Sequence, residues 1–227
     1  MPFLILILLI VALLVGPGLW VKRVLARHSD ERDDLPGTGG ELAAHLMDRF
    51  KLEGVTLERT DQGDHYDPQA KAIRLSPNVM DKKSLTAVAT AAHEFGHALQ
   101  HAKNYTALST RTVLAKQAVN VQRFASIAIF ALPILVVIPG GAILARFLLI
   151  GIIGSMFLTT LIHFVTLPVE FDASFGRALP ILEQGDYVSD RDLAKVRKVL
   201  LACALTYVSQ AMFGLLNFSR WFRLLRR

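Results

Sequence analysis

Apolar and polar positions separate into blocks along this chain. Four stretches carry no acidic or basic residue: Met1–Val21, Phe124–Ala145, Phe147–Val169 and Val199–Ser219. Each is about 20 residues long, the length a helix needs to cross ~30 Å of hydrocarbon. Pro139-Gly140-Gly141 interrupts the second stretch with turn chemistry. The spacing therefore predicts a helical hairpin, one helix over about Thr112–Ile138 and the other over about Ala142–Leu167.

The remaining sequence, about Lys22 to Arg123, has ordinary soluble character. Leu42, Leu46 and Met47 fall at helical spacing within Glu41–Phe50, and Val55–Thr60 alternates like a strand. Asp64–Ser76 (DHYDPQAKAIRLS) reads as two short extended pieces around a DPQAK turn. Ser84 suits the N-cap of a long helix reaching about Lys103. His28–Gly40, charged and then Pro/Gly-rich, reads as a linker.

The pattern thus predicts a mainly helical integral membrane protein with four hydrophobic helices and one small α+β domain. Its parts are an anchor over 1–21, a polar domain over 22–111 and a transmembrane hairpin over 112–169 with its turn at 139–141. A polar segment follows over 170–198, then a fourth hydrophobic helix over 199–219 and a basic tail over 220–227. Composition agrees: 52% of the 227 residues are hydrophobic, and mean hydropathy is +0.41. Met1–Val21 reads as an uncleaved anchor, because it has no basic residue before the apolar run and no small-x-small site before Lys22. A lone cysteine, Cys203, allows no internal disulfide and no CxxC metal site.

The net charge of +6 raises the question of nucleic acid, but no basic stripe with interleaved aromatics is present, so none is expected as a partner. The positive charge flanks the apolar blocks instead. Lys22, Arg23, Arg27 and Arg32 follow the first, Arg111, Lys116 and Arg123 precede the second, and Arg191, Lys195, Arg197 and Lys198 precede the fourth. That asymmetry places the polar domain on the cytoplasmic side of a plasma (inner) membrane. The tail Arg220, Arg223, Arg226 and Arg227 runs against it if the fourth block spans fully.

Residues 93–97 read HEFGH. On a helix His93 and His97 are i and i+4, so both imidazoles leave from one face and suit Zn²⁺. Glu94, one residue on, points beside the ion, where a carboxylate takes a proton from a water whose pKa the metal lowers toward about 7. An HExxH by chance is expected in well under about one chain in a hundred of this length. The small apolar flanks (Ala87, Val88, Ala91, Ala92, Ala98, Leu99) predict a buried helix. Two buried imidazoles and a carboxylate are costly without a partner, which disfavours an accidental pair on a polar helix. His101 lies about 12 Å along the axis from His93 and cannot reach the same ion. The acidic candidates for a third ligand are Glu170, Asp172, Glu183, Asp186, Asp190 and Asp192. Glu170 and Asp172 stand out, because carboxylates beside a transmembrane segment are expensive unless paired. The bland reading of that pair is a salt bridge with Arg177.

DHYDPQAKAIRLS, AAHEFGHALQ and TLPVEFDAS together resemble the YugP-like neutral zinc metallopeptidases of bacteria. The chain is more distantly similar to the HtpX and CAAX prenyl protease group, which pairs HExxH with a later ExxAD. The resemblance implies a zincin-like domain and a membrane-bound zinc endopeptidase with Glu94 as base. It implies His93, His97 and Glu170 as metal ligands, and membrane or unfolded proteins as substrates. Ser174 stands where that group has Asp, so Asp172 is the candidate to support a ligand. Asp64–Asp67 occupies the place of a substrate-binding edge strand, which makes His65 and Tyr66 candidates for the cleft. Arg177, at i+7 from Glu170, is a candidate for the oxyanion. A zinc-containing membrane scaffold without activity is the alternative, and an intact Glu94 speaks against it, since a structural site needs no base. A metal transporter needs several ligands within the apolar blocks, and only His163 is there.

Overall fold

The computed structural model describes residues 2–215; Met1 and residues 216–227, with the basic tail, lie outside it. The chain forms two compact units, which are described separately.

The first unit comprises residues 2–18, 111–166 and 207–215 of the described chain. It draws on helices α1 (Pro2–Arg27), α5 (Thr106–Val137) and α6 (Gly141–Phe171). The expected turn is present, with Gly140 in the left-handed region at φ 79° and Gly141 N–H bonded to the carbonyl of Ile138. Ala125, Ala128, Ile129 and Ile152 form a small buried cluster between α5 and α6. Most other apolar side chains here face outward, Phe124 and Ile127 among them at 72% and 71% exposure. A soluble surface rarely tolerates a contiguous apolar area of this extent. Residues 1–18, 111–166 and 207–227 contain no Asp or Glu. Within this unit the ring of His163 stacks on Tyr207 at 6.3 Å between centroids, and the Arg111 guanidinium covers Tyr207 at 4.9 Å.

Among the described residues three helices are long and apolar enough to span a membrane: Phe3–Arg27, Thr106–Val137 and the continuous run Gly141–Gln184. The expected fourth is not one of them. Helix α8 (Asp190–Leu215) does carry the block, but Val196, Val199, Leu200 and Cys203 belong to the core of the second unit. Their apolarity serves protein packing rather than lipid contact.

The second unit comprises residues 19–110 and 167–206. Its centre is α4 (Leu85–Ala102), buried at every position from Ala87 through Gln100. A helix buried all round must be lined by small side chains where neighbours approach, which accounts for Ala87, Ala89, Ala91, Ala92, Gly96 and Ala98. Ser84 caps it by accepting from Ala87 N–H at 3.1 Å. Helix α2 (Gly39–Arg49) begins with a reciprocal capping box between Thr38 and Glu41. Helix α3 is the short Pro77–Met80.

The extended pieces form a three-stranded sheet in the order β1–β3–β2: β1 (Thr56–Arg59), β2 (His65–Asp67) and β3 (Ala72–Leu75). β3 pairs in parallel with β1 and antiparallel with β2. Arg74 on the central strand ties both edges, donating to Glu58 at 2.9 Å and Asp67 at 2.6 Å. Asp67 also accepts from Gln69 and Ala70 N–H, the Asx turn that the DPQAK run prescribes.

Residues 28–40 are not a free linker. Leu35 is buried in the core. Arg32 N–H donates to the Lys83 carbonyl at 2.8 Å, and its guanidinium meets buried Asp192 at 2.9 Å. That hydrogen bond holds the Asp192 carboxyl well below the usual carboxylate range.

Candidate metal centre

Three buried side chains converge in the second unit. His93 and His97 leave α4 one turn apart, their rings 4.8 Å between centroids and near perpendicular at 80°. Glu170, 1% exposed, arrives from the end of α6. Its Oε2 lies 3.5 Å from His93 Nε2 and 3.1 Å from His97 Nε2. All three ligand atoms fall within 4.8 Å of one another.

Two local devices allow this approach. The first is Gly96, between the histidines. A Cβ there would stand 2.6 Å from the carbonyl oxygen of Ala173, so only a glycine lets α4 touch the backbone just beyond Glu170. The second is a π-helical turn, Asp172–Ala178, directly after Glu170. Such turns insert one residue into the α-helical phase and recur at functional sites. With more residues per turn, it also bears on Arg177. Arg177 meets Asp172 at i+5, Nε to Oδ2 2.7 Å, the salt bridge that the sequence also offered.

The hydrogen bonds around the histidines determine which nitrogen carries the proton. Gln100, fully buried, donates through Nε2 to the Val169 carbonyl at 2.9 Å and to Asp172 Oδ2 at 2.8 Å. Val169 O can only accept, so the amide orientation is settled and Gln100 Oε1 faces His97 Nδ1 at 2.9 Å. That nitrogen must donate. Ser174 uses its hydroxyl proton on the Leu200 carbonyl at 2.9 Å, so its oxygen must accept from His93 Nδ1, also at 2.9 Å. With Nδ1 so engaged, Nε2 is the nitrogen of each ring that faces Glu170 Oε2 and is the one a metal would take.

Two ring nitrogens and a carboxylate oxygen facing one point are a donor set that suits a divalent cation. Zinc with nitrogen and oxygen ligands at about 2.0–2.1 Å spaces its ligand atoms roughly 3.3 Å apart, and the observed 3.1 and 3.5 Å bracket that spacing. The residues present fit a zinc ion.

Ser174, which the sequence marks only as a departure from Asp, thus supports His93. Gln100 supports His97 and was not foreseen; its one signal is a polar residue inside a run of buried apolar ones. Asp172 touches neither histidine and is shared by Gln100 and Arg177. Glu94 is buried on α4 and is not one of the three convergent residues. Nor are Tyr66 and His65. Tyr66, on the edge strand β2, meets His101 Nδ1 through its hydroxyl at 2.7 Å, and burial pushes its phenol up to about 12. His65 Nδ1 lies 2.8 Å from the Gly63 carbonyl. Among the other acidic candidates, Asp192 pairs with Arg32 and Lys195, and Glu183 lies 3.8 Å from Arg197.

Two histidines of a buried helix and a glutamate from the end of α6 form a cluster that could hold a metal ion, in a chain with three membrane-length apolar helices. Comparison with known proteins specifies it further. The chain belongs to the family described as "putative neutral zinc metallopeptidase", whose model matches residues 3–226. It is 36% identical over 215 residues, 91% of each chain, to the "Putative membrane protease YugP" of Bacillus subtilis (strain 168). No solved structure matches.

Proposed function

We propose that this protein is a membrane-bound, zinc-dependent endopeptidase with a zincin-like catalytic unit, acting on membrane or unfolded proteins at the cytoplasmic face of the plasma membrane. The observation that carries the reading is the convergence of His93 Nε2, His97 Nε2 and Glu170 Oε2, one residue from Glu94. Zinc held by these three would supply Lewis acidity toward a water and a peptide carbonyl. Glu94 would take a proton from the water as its oxygen adds to the carbonyl carbon, and would pass that proton to the amine nitrogen as the C–N bond breaks. Burial of the cluster limits competing water and strengthens each charge interaction. Tyr66 keeps its proton over the whole physiological range and remains a hydrogen-bond donor at the edge strand.

Purified protein in detergent is expected to hold one zinc per chain and to cleave an unfolded casein substrate. A strong chelator should abolish cleavage and added zinc should restore it. Cleavage that persists in protein shown to be metal-free would exclude the reading.

The orientation rests on the basic residues flanking α1 and α5. A single cysteine at Ser29, in a Cys203→Ala background, is expected to resist a membrane-impermeant thiol reagent in intact cells, while one at Gly140 reacts. The reverse pattern would invert the topology.

A further inference from the structure

We infer that Gln100 is a positioning residue of the metal site, holding one histidine and the carboxylate-bearing segment in register through a single amide. The inference deepens the zinc reading of the same site and rests on it. Gln100 lies one turn beyond His97 on α4 and is 0% exposed. Burying a primary amide is costly unless its donors and acceptor are used, and here all have partners. The oxygen accepts from His97 Nδ1, and the nitrogen donates to Val169 O and Asp172 Oδ2.

These contacts have different consequences. The oxygen keeps the His97 proton on Nδ1, so the Nε2 lone pair stays available to a metal. A partner on the far ring nitrogen is the usual means of orienting a metal-bound histidine, and its loss typically lowers metal affinity about 10–100-fold. The nitrogen holds the carbonyl immediately before Glu170 and the carboxylate two residues after it. Glu170 is thereby clamped from both sides by an amide anchored on the helix that carries both histidines. Arg177 extends the clamp, pairing with Asp172 while its guanidinium covers the Tyr105 ring at 5.5 Å. Asp172 Oδ2 therefore accepts from both Gln100 and Arg177.

Three variants separate the two arms. Gln100→Met is close in size and removes both. Gln100→Glu keeps an acceptor for His97 but sets a carboxylate against Asp172. Gln100→Glu with Asp172→Asn removes the negative charge facing that carboxylate. Two readouts apply to each: ¹⁵N chemical shifts of the histidine ring nitrogens in metal-free protein, and zinc affinity by competition with a chromogenic chelator. Wild type should show His97 protonated at Nδ1. Gln100→Met should show a mixture of tautomers and about 10–100-fold weaker zinc binding. Gln100→Glu should keep the Nδ1 proton yet bind zinc more weakly, and Asp172→Asn in that background should recover part of the loss, the Val169 carbonyl still lacking its donor.

A Gln100→Met protein with the wild-type tautomer and affinity would overturn the inference. So would a double variant that recovers nothing. If Gln100→Met does not fold, the other two variants decide. A wild-type chain that takes up no zinc would refute the proposed function instead, and the ring-nitrogen shifts of the metal-free protein would still test Gln100.

Discussion

Glu94→Gln is expected to retain its zinc and its fold while losing at least about 10²-fold in peptide hydrolysis, the usual size of a general-base loss. The substitution is nearly isosteric and leaves His93, His97 and Glu170 untouched, so metal content should equal that of wild type. What disappears is the capacity to accept a proton, because an amide oxygen is a far weaker base than a carboxylate. A variant that cleaves casein at the wild-type rate would remove Glu94 from the chemistry and leave the cluster as a structural metal site.

Removing a ligand should have the opposite signature. Glu170→Ala is expected to lose most of its bound zinc, and hydrolysis with it, because only the histidine pair remains of three protein ligands. Asp172→Ala should keep the metal more nearly than Glu170→Ala does, since Asp172 contacts Gln100 and Arg177 and neither histidine. Elemental analysis of the two variants side by side makes the comparison. Full zinc in Glu170→Ala with loss in Asp172→Ala would reverse the assignment of the third ligand.

How much could be read from the chain alone followed from how local each feature is. HEFGH, the Ser84 cap, the DPQAK turn and the Pro139–Gly141 turn each depend on a few adjacent residues, and the structure has a long buried helix, an Asx turn and a helical hairpin there. Glu170 lies 73 residues beyond His97. Sequence offered six carboxylates, their place beside an apolar block narrowed them to Glu170 and Asp172, and family resemblance singled out one. The π-helical turn has no local signature in DASFGRA, and its effect on Arg177 follows from phase rather than composition. The support from Ser174 and Gln100 was invisible for a related reason. A hydroxyl or an amide becomes informative only once its partners across the fold are known. The fourth apolar block shows the limit of composition. About 20 uncharged residues suit a bilayer, but they equally suit a core helix when neighbouring elements cover them, as they do around Val199 and Leu200.

The close approach of Gly96 to Ala173 bears on attempts to build such metal sites. Writing His-Glu-x-x-His into a helix of some other scaffold is a common starting point for an artificial hydrolase, with both x positions treated as free. In this chain the second x is where one backbone passes within reach of another, and any side chain there would push the carboxylate-bearing segment away from the imidazoles. A designer copying this arrangement would have to begin with a bare patch on the helix and a strand of chain laid across it. The five-letter motif would then be the last thing added.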